Sequence, residues 1–382
     1  MATNKEQNKL NVPHLRFPEF HGEWEKCKLG DIATLTKGSG ISKDQRSATG
    51  TPCILYGELY TTYKSEVINY VVSKTDISDK NLVRSCANDI IIPSSGETAI
   101  DISTARCVLS PDVLLGGDLN IIRLKDGDGR FFSYQLNGVR KYDIAKIAQG
   151  VSVVHLYGES IKGLTVSFPS NKEQQKISTL LSLIDERIAT QSKLIEMLES
   201  LIKGIRHNIF KDILGEVLAL SNIADIYQPQ TISSSDLTTE GYWVYGANGI
   251  IGKYKEYNHE TEQICITCRG NTCGTVNYTR PKVWITGNSM VINTDKYQQQ
   301  VNKRFLLHYL SSYNFKSIVS GSGQPQIVRT PLEKIKVVLP TIEKQVRIAN
   351  SIDIVSEKIN TESSVLKLLE NQKQYLLRQM FI

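Results

Sequence analysis

Residues 168–210 align without gaps on residues 339–381, at an offset of 171, and this internal repeat constrains the fold more than any other feature of the chain. Ten of the 43 positions are identical, among them Pro169/Pro340, Gln174/Gln345, Glu186/Glu357, Leu198/Leu369 and Phe210/Phe381. Upstream the match continues more weakly, through Tyr142/Tyr313, Gly150/Gly321, Leu164/Ile335 and Val166/Val337. The segment Ile90 to Thr98 resembles Ile264 to Thr272, with Gly96 on Gly270 and Thr98 on Thr272. Near the two starts, Ile32-Ala33 falls on Ile223-Ala224 at an offset of 191, so the first copy carries about twenty extra residues in its front part. Each copy is therefore a divergent head followed by a similar tail.

The tails have coiled-coil periodicity. Ile177, Leu181, Ile184, Ile188, Gln191, Ile195, Leu198, Ile202, Ile205 and Ile209 are spaced 4-3-4-3, and Ile348, Ile352, Val355, Ile359, Glu362, Leu366, Leu369, Lys373, Leu376 and Met380 repeat that spacing. Such a register places one seam along each helix, suited to packing on another helix. Ser170 or Asn171 can cap the first helix after Pro169, and Thr341 the second after Pro340. Thirty-eight helical residues span about 57 Å. An antiparallel pairing centred on Gln191 and Glu362 would set Ile184 near Leu369 and Leu198 near Val355. A polar layer at the midpoint of a seam specifies register at some cost in stability, so it would fix the spacing between the heads.

The heads read as mixed α and β. Strands are expected at Ile90–Ile92, Leu119–Leu124, Thr165–Phe168, Gln263–Thr267, Met290–Asn293 and Lys334–Leu339, and short helices near Arg130–Ile147 and Asn302–Ile318. The expected fold is α+β: two globular mixed α/β domains separated by two long antiparallel coiled-coil helices, with a pseudo-two-fold internal repeat. The division is a terminal extension 1–20, a first head 21–168, a central helix 169–211, a second head 212–338 and a C-terminal helix 339–382, which suits 382 residues at roughly 100–200 per domain. No run approaches the roughly 18 apolar residues of a membrane span, and the polar start lacks a signal-peptide core, so a cytoplasmic location without membrane association is expected.

Several chemistries find no motif. A G-x-x-x-x-G-K-[ST] phosphate loop, a G-x-S-x-G elbow and the Asn/Asp-Pro-Pro-aromatic loop of amino-methyltransferases are all absent. Cys265, Cys268 and Cys273 with His259 suggest zinc. Their repeat counterparts Ile91, Ser94 and Ala99 carry no ligand atoms, and Cys265 between Ile264 and Ile266 reads as a buried strand residue.

Two divergent heads on a paired spacer suit the reading of two short sites on a repetitive polymer, and double-stranded DNA is the natural one. Net charge is +6, but residues 21–170 are neutral and residues 211–340 carry +3, so charge permits such a partner without requiring it. Candidate base contacts are Ser94, Ser95 and Thr98 in the first head, matched by Arg269, Asn271 and Thr272 in the second. Gln324, Gln326 and Arg329 follow the Gly321-Ser322-Gly323 turn where the first copy has Ser152 and His155, and Lys253 and Lys255 could meet phosphates. The plainer alternative for each is a solvated loop side chain or a turn cap. At the level of the whole chain, the alternative is a two-headed protein-binding scaffold with a coiled-coil spacer.

The head–helix–head–helix order, the Gly321-Ser-Gly-Gln-Pro-Gln-Ile327 turn and the paired Pro-x-x-x-Glu-Gln helix starts resemble the specificity subunit of type I restriction–modification enzymes. The opening Val12-Pro-His-Leu-Arg-Phe-Pro-Glu-Phe20, followed by Gly22-Glu-Trp24, fits the same family. The first helix start, Pro169 to Gln174, matches the pattern, whereas the second, Pro340 to Gln345, has Lys344 where Glu is expected. The resemblance spans essentially the whole chain. It implies target-recognition domains that each read half of a split DNA sequence, and helices that set the unread gap and dock two methyltransferase subunits. It also implies a non-catalytic chain serving phage defence. S-adenosylmethionine would sit on the methyltransferase partners, and ATP and Mg on restriction subunits of the full complex.

Overall fold

A computed structural model describes residues 11–78, 81–321 and 323–382; the first half of the terminal extension, and Ser322 of the Gly-rich turn, lie outside the described residues. The apolar runs singled out in the sequence form the centre of two sheets with one topology. In the first head the strand order is Ala33–Lys37, Leu119–Leu124, Asp89–Pro93, Arg106–Val108, Val67–Ile68. In the second it is Asp225–Tyr227, Ser289–Asn293, Ile264–Thr267, Val276–Tyr278. The central pairs are antiparallel in both, Ile121 opposite Ile91 and Val291 opposite Cys265. Ile90, Ile91, Ile92, Ile264 and Ile266 are wholly buried, because helices and loops cover both faces and the strands need no polar side. A parallel pair also recurs, Cys53 and Ile54 beside Leu114 and Leu115, and Val244 and Tyr245 beside Trp284 and Ile285.

The extra length of the first head falls mainly between the strands Thr51–Ile54 and Asp89–Pro93, where it adds the helix Glu58–Thr61 and the fifth strand Val67–Ile68. One expected helix divides: Gly129–Asn137 and Lys141–Ile147 are separate, and Gly138 between them leaves helical geometry. The second head repeats this as Lys303–Ser312 followed by the 3-10 turn Phe315–Ile318. The last strand of the second head begins at Lys336, because Lys334 ends the short helix Arg329–Glu333.

The tails are helices over Asn171–Lys211 and Ile342–Gln379, the first and second spacer helices. Ser170 and Thr341 occupy the N-cap positions, their carbonyls accepting from Gln174 and Gln345, while the Asn171 side chain turns to Asp126. Two compact units divide the chain: one runs to Ser192 and resumes at Ser364–Ile382, and the other is Lys193–Ser363. Each unit thus holds a head together with part of both helices. Among the described residues no helix is long and apolar enough to cross a membrane.

In the first unit Ile177, Leu181, Ile184, Leu376, Met380 and Phe381 share the head's core with Trp24 and Phe131. Leu369 is buried too. Lys373 occupies a seam position, buried between Glu66 of the head and Asp185 of the first helix, the latter at 2.6 Å. Tyr134 donates to the same Asp185 at 2.7 Å. In the second unit His308 stands where Tyr134 does, bonded to Asp353 at 2.8 Å and to Arg206 at 3.1 Å. Leu198 and Val355 are half-buried there, and Glu362 is buried with Lys358 one turn earlier as its ion-pair partner; Gln191, in the first unit, is half-buried.

The repeated glutamines tie each helix to its own head. Gln174 donates to Pro169 O and accepts from Asp128 N, and Gln345 donates to Pro340 O and accepts from Asn302 N, all at 2.8 to 3.0 Å. Glu173 is buried because Arg16 grips it with two bonds of 2.8 Å. That arginine lies in the segment before the first head, which also donates Leu15 N–H to Gln379 O. At the matching position of the second helix start, Lys344 is exposed.

Candidate nucleic-acid interface

Each head brings its two candidate loops together as a short antiparallel ladder. In the first head Val154–His155 pairs with Ser95–Gly96, His155 opposite Ser95, and Leu156 N donates to Ser94 O at 2.9 Å. In the second Gln326 bridges Arg269, and Ile327 N donates to Cys268 O at 3.0 Å. Each loop also closes on itself. Gln149 and His155 exchange both backbone hydrogen bonds, at 2.9 and 2.7 Å, and Ser320 and Gln326 do so at 2.8 Å. Gly150 and Gly321 turn these loops at φ of 119° and 90°, and a Cβ at either would strike the carbonyl of Val153 or Gln324.

Alternation along the ladder decides which side chains face out, because successive residues point to opposite faces. Val154 and Leu156 are buried, so Val153 and His155 are exposed. A Cβ on Gly96 would meet Ile102 and the Tyr60 hydroxyl, so Ser95 and Glu97 take the outer side. In the second head Cys268 and Ile327 are buried, leaving Arg269, Asn271, Gln324 and Gln326 exposed. Sequence reasoning missed Glu97 and Val153; the repeat could have found them, since they align with Asn271 and Gln324.

The remaining candidates divide. Ser94 is 7% exposed, on the inner side, with its hydroxyl 3.5 Å from Asp118. The alternation therefore takes it off the outer face. Thr98 caps the helix Ala99–Ile102, accepting from Asp101 N and donating to its carboxylate at 2.6 Å. Thr272 bonds Asn248. Arg329 opens the helix Arg329–Glu333 and pairs with Glu333 at 2.7 Å on the surface. Ser152 is exposed in the first loop.

Lys253 and Lys255 lie along the hairpin Tyr242–Gly246 and Gly249–Tyr254, whose turn at Ala247 and Asn248 touches Thr267 and Thr272. Four residues of strand, Gly249 to Gly252, separate Lys253 from that turn, roughly 16 Å. The two lysines are thus not brought to the ladder. Lys253 instead sits over the Trp243 ring at 4.9 Å, with Arg280 at 6.0 Å, an exposed cationic and aromatic patch with no signal in the residue spacing.

The cysteine group does not converge. Cys265 packs in a cluster with Tyr245 and Val291, whereas Cys268 belongs to another with Ile266 and Ile327. His259 has both ring nitrogens engaged, with Tyr227 Oη at 2.9 Å and Asn258 Oδ1 at 2.6 Å. Burial holds that imidazole neutral by lowering it to about 4.

The family described as type I restriction modification DNA specificity domain matches residues 21–200 and 215–371, each a head with much of its helix. The chain belongs to this family. The type I restriction enzyme MjaVIII specificity subunit of Methanocaldococcus jannaschii is 24% identical over 429 residues, covering 99% of this chain and 96% of that one. The EcoprrI specificity subunit of Escherichia coli is 28% identical over 127 residues, which are 33% of this chain and 31% of that subunit. The crystal structure of the type I restriction-modification system S subunit from M. genitalium shares the fold, with a TM-score of 0.69 at 20% identity over 97% of this chain and 99% of that one. Specificity domains of this family therefore account for both heads and most of each helix.

Proposed function

We propose that this chain is the sequence-reading subunit of a type I restriction–modification complex. Each head reads one half of a bipartite target in double-stranded DNA, and the helices set the gap and dock two methyltransferase subunits. The methyltransferase partners supply S-adenosylmethionine chemistry and the restriction subunits ATP and Mg, while this chain recognises and does not catalyse. One observation carries the reading: the same exposed ladder is built twice, on one topology and with one register, yet with different side chains. A repeated catalytic site would keep its reactive groups, whereas two readers of different half-sites must differ at the contacting positions.

Mapping methylated adenines in a host with and without the gene tests this. Deletion should abolish methylation at one bipartite motif, and persistence of every such motif, with active partner subunits present, would defeat the reading. The purified chain with its methyltransferase partner should also bind the motif duplex with an affinity that falls steeply with salt.

A further inference from the structure

Four outward positions recur at the two ladders, one paired on each strand and one two residues away from it in the flanking loop. The second head fills them with Arg269, Asn271, Gln324 and Gln326, and the first with Ser95, Glu97, Val153 and His155. Neither Glu97 nor Arg269 has a hydrogen bond or ion pair with another side chain among the described residues, although Arg46, Asp101, Arg329 and other charges nearby do. The ladder holds the backbone at Arg269 itself and at Gly96, the residue before Glu97.

We propose, resting on the DNA-reading function above, that these four positions are the specificity-determining set of each head. At Glu97 and Arg269 the two heads then present opposite hydrogen-bonding polarity. An ionised carboxylate only accepts, and phosphates repel it, so on a DNA-facing surface Glu97 takes an exocyclic amino group of the major groove, cytosine N4 or adenine N6. Arg269 only donates, and its planar fork matches the O6 and N7 acceptors of guanine. Val153 offers the first head an apolar contact of the kind a thymine methyl fills. Asn271, Gln324 and Gln326 give the second head paired donors and acceptors, as adenine requires.

The test uses the full complex and its mapped motif, titrated against duplexes carrying each single base-pair change in both halves. Glu97→Gln keeps the shape and removes the charge. It should reduce discrimination at one pair of the first half-site from about tenfold or more to under about threefold, leaving the second half unchanged. A C·G pair at that position assigns cytosine N4, and an A·T pair adenine N6. Arg269→Gln should do the same at one G·C pair of the second half-site only. Wild-type discrimination at every pair in both variants would overturn the assignment. So would a loss uniform over all duplexes, or an effect in the opposite half. If the unaltered complex fails to discriminate any bipartite motif, the functional reading fails instead, independently of these residues.

Discussion

Two residues show how single groups set the behaviour of each ladder and each unit. Gly321 holds a left-handed backbone that L side chains adopt at a cost, and a Cβ there would strike the Gln324 carbonyl. Gly321→Ala should therefore shift the loop bearing Gln324 and Gln326, at about 1–3 kcal/mol of strain. A DNA titration should show weakened binding through the second half-site with the first unaffected. His308 is the second case. Burial lowers it to about 4, with the Asp353 bond opposing that and Arg206 and Arg304 adding to it. The neutral ring fits its partners, one nitrogen accepting from Arg206 and the other donating to Asp353. A folded pKa below the unfolded value of about 6.5 means that stability is fully present above pH 6.5 and is lost as pH falls towards 4. His259 adds a shift of the same sign in the same unit. Denaturant unfolding of the second unit should weaken across that window, and His308→Gln should flatten the pH slope by about one proton of two.

At the scale of elements, periodicity was the part of the fold legible in advance. The 4-3 spacing marked both spacer helices, and buried apolar runs such as Leu119–Leu124 and Thr165–Phe168 coincide with strands to the residue. What spacing did not reveal is pairing across sequence. The ladder joins Ser95 to His155 over sixty residues of chain, and only backbone register decides that Glu97 faces out while Ser94 faces in. Seam position 373 likewise holds a lysine for a reason that lies in a distant acid, Glu66. The helix starts show the same dependence. Gln174 and Gln345 were evident as repeated residues, but their partners Asp128 and Asn302 lie in the heads. Removing either amide leaves a buried backbone N–H and a carbonyl unsatisfied, which costs about 1–3 kcal/mol. Gln345→Ala should lower the unfolding midpoint of the second unit and Gln174→Ala that of the first, each leaving the other in place. Equal effects on both units would contradict a local tie.

For the whole molecule, the repeat gives two readers one scaffold, so a head should be exchangeable if its attachments are respected. Among other contacts, the first head meets the spacer helices through the apolar core with Leu376 and Met380, the Gln174 tie, the Tyr134 bond to Asp185 and Glu66 on Lys373. Glu66 lies in the segment that the second head lacks, so this last contact does not travel with the common topology. Burial disfavours the Lys373 ammonium, but Glu66 and Asp185 outweigh it and raise its pKa. Loss of Glu66 leaves a buried cation with one partner in place of two, at a cost of about 1–3 kcal/mol, less than the full breaking of a buried pair because Asp185 remains. Replacing residues 21–168 by another specificity head should thus change one half-site of the methylated motif and leave the other intact. Among such hybrids, donors with an acid opposite Lys373 should melt like the parent, and donors without one should melt lower. Lys373→Met in a hybrid lacking that acid should not restore stability, because Asp185 would then be the unpaired charge. Recovery in that variant would show that the lysine's pairing is not what couples the head to the helices.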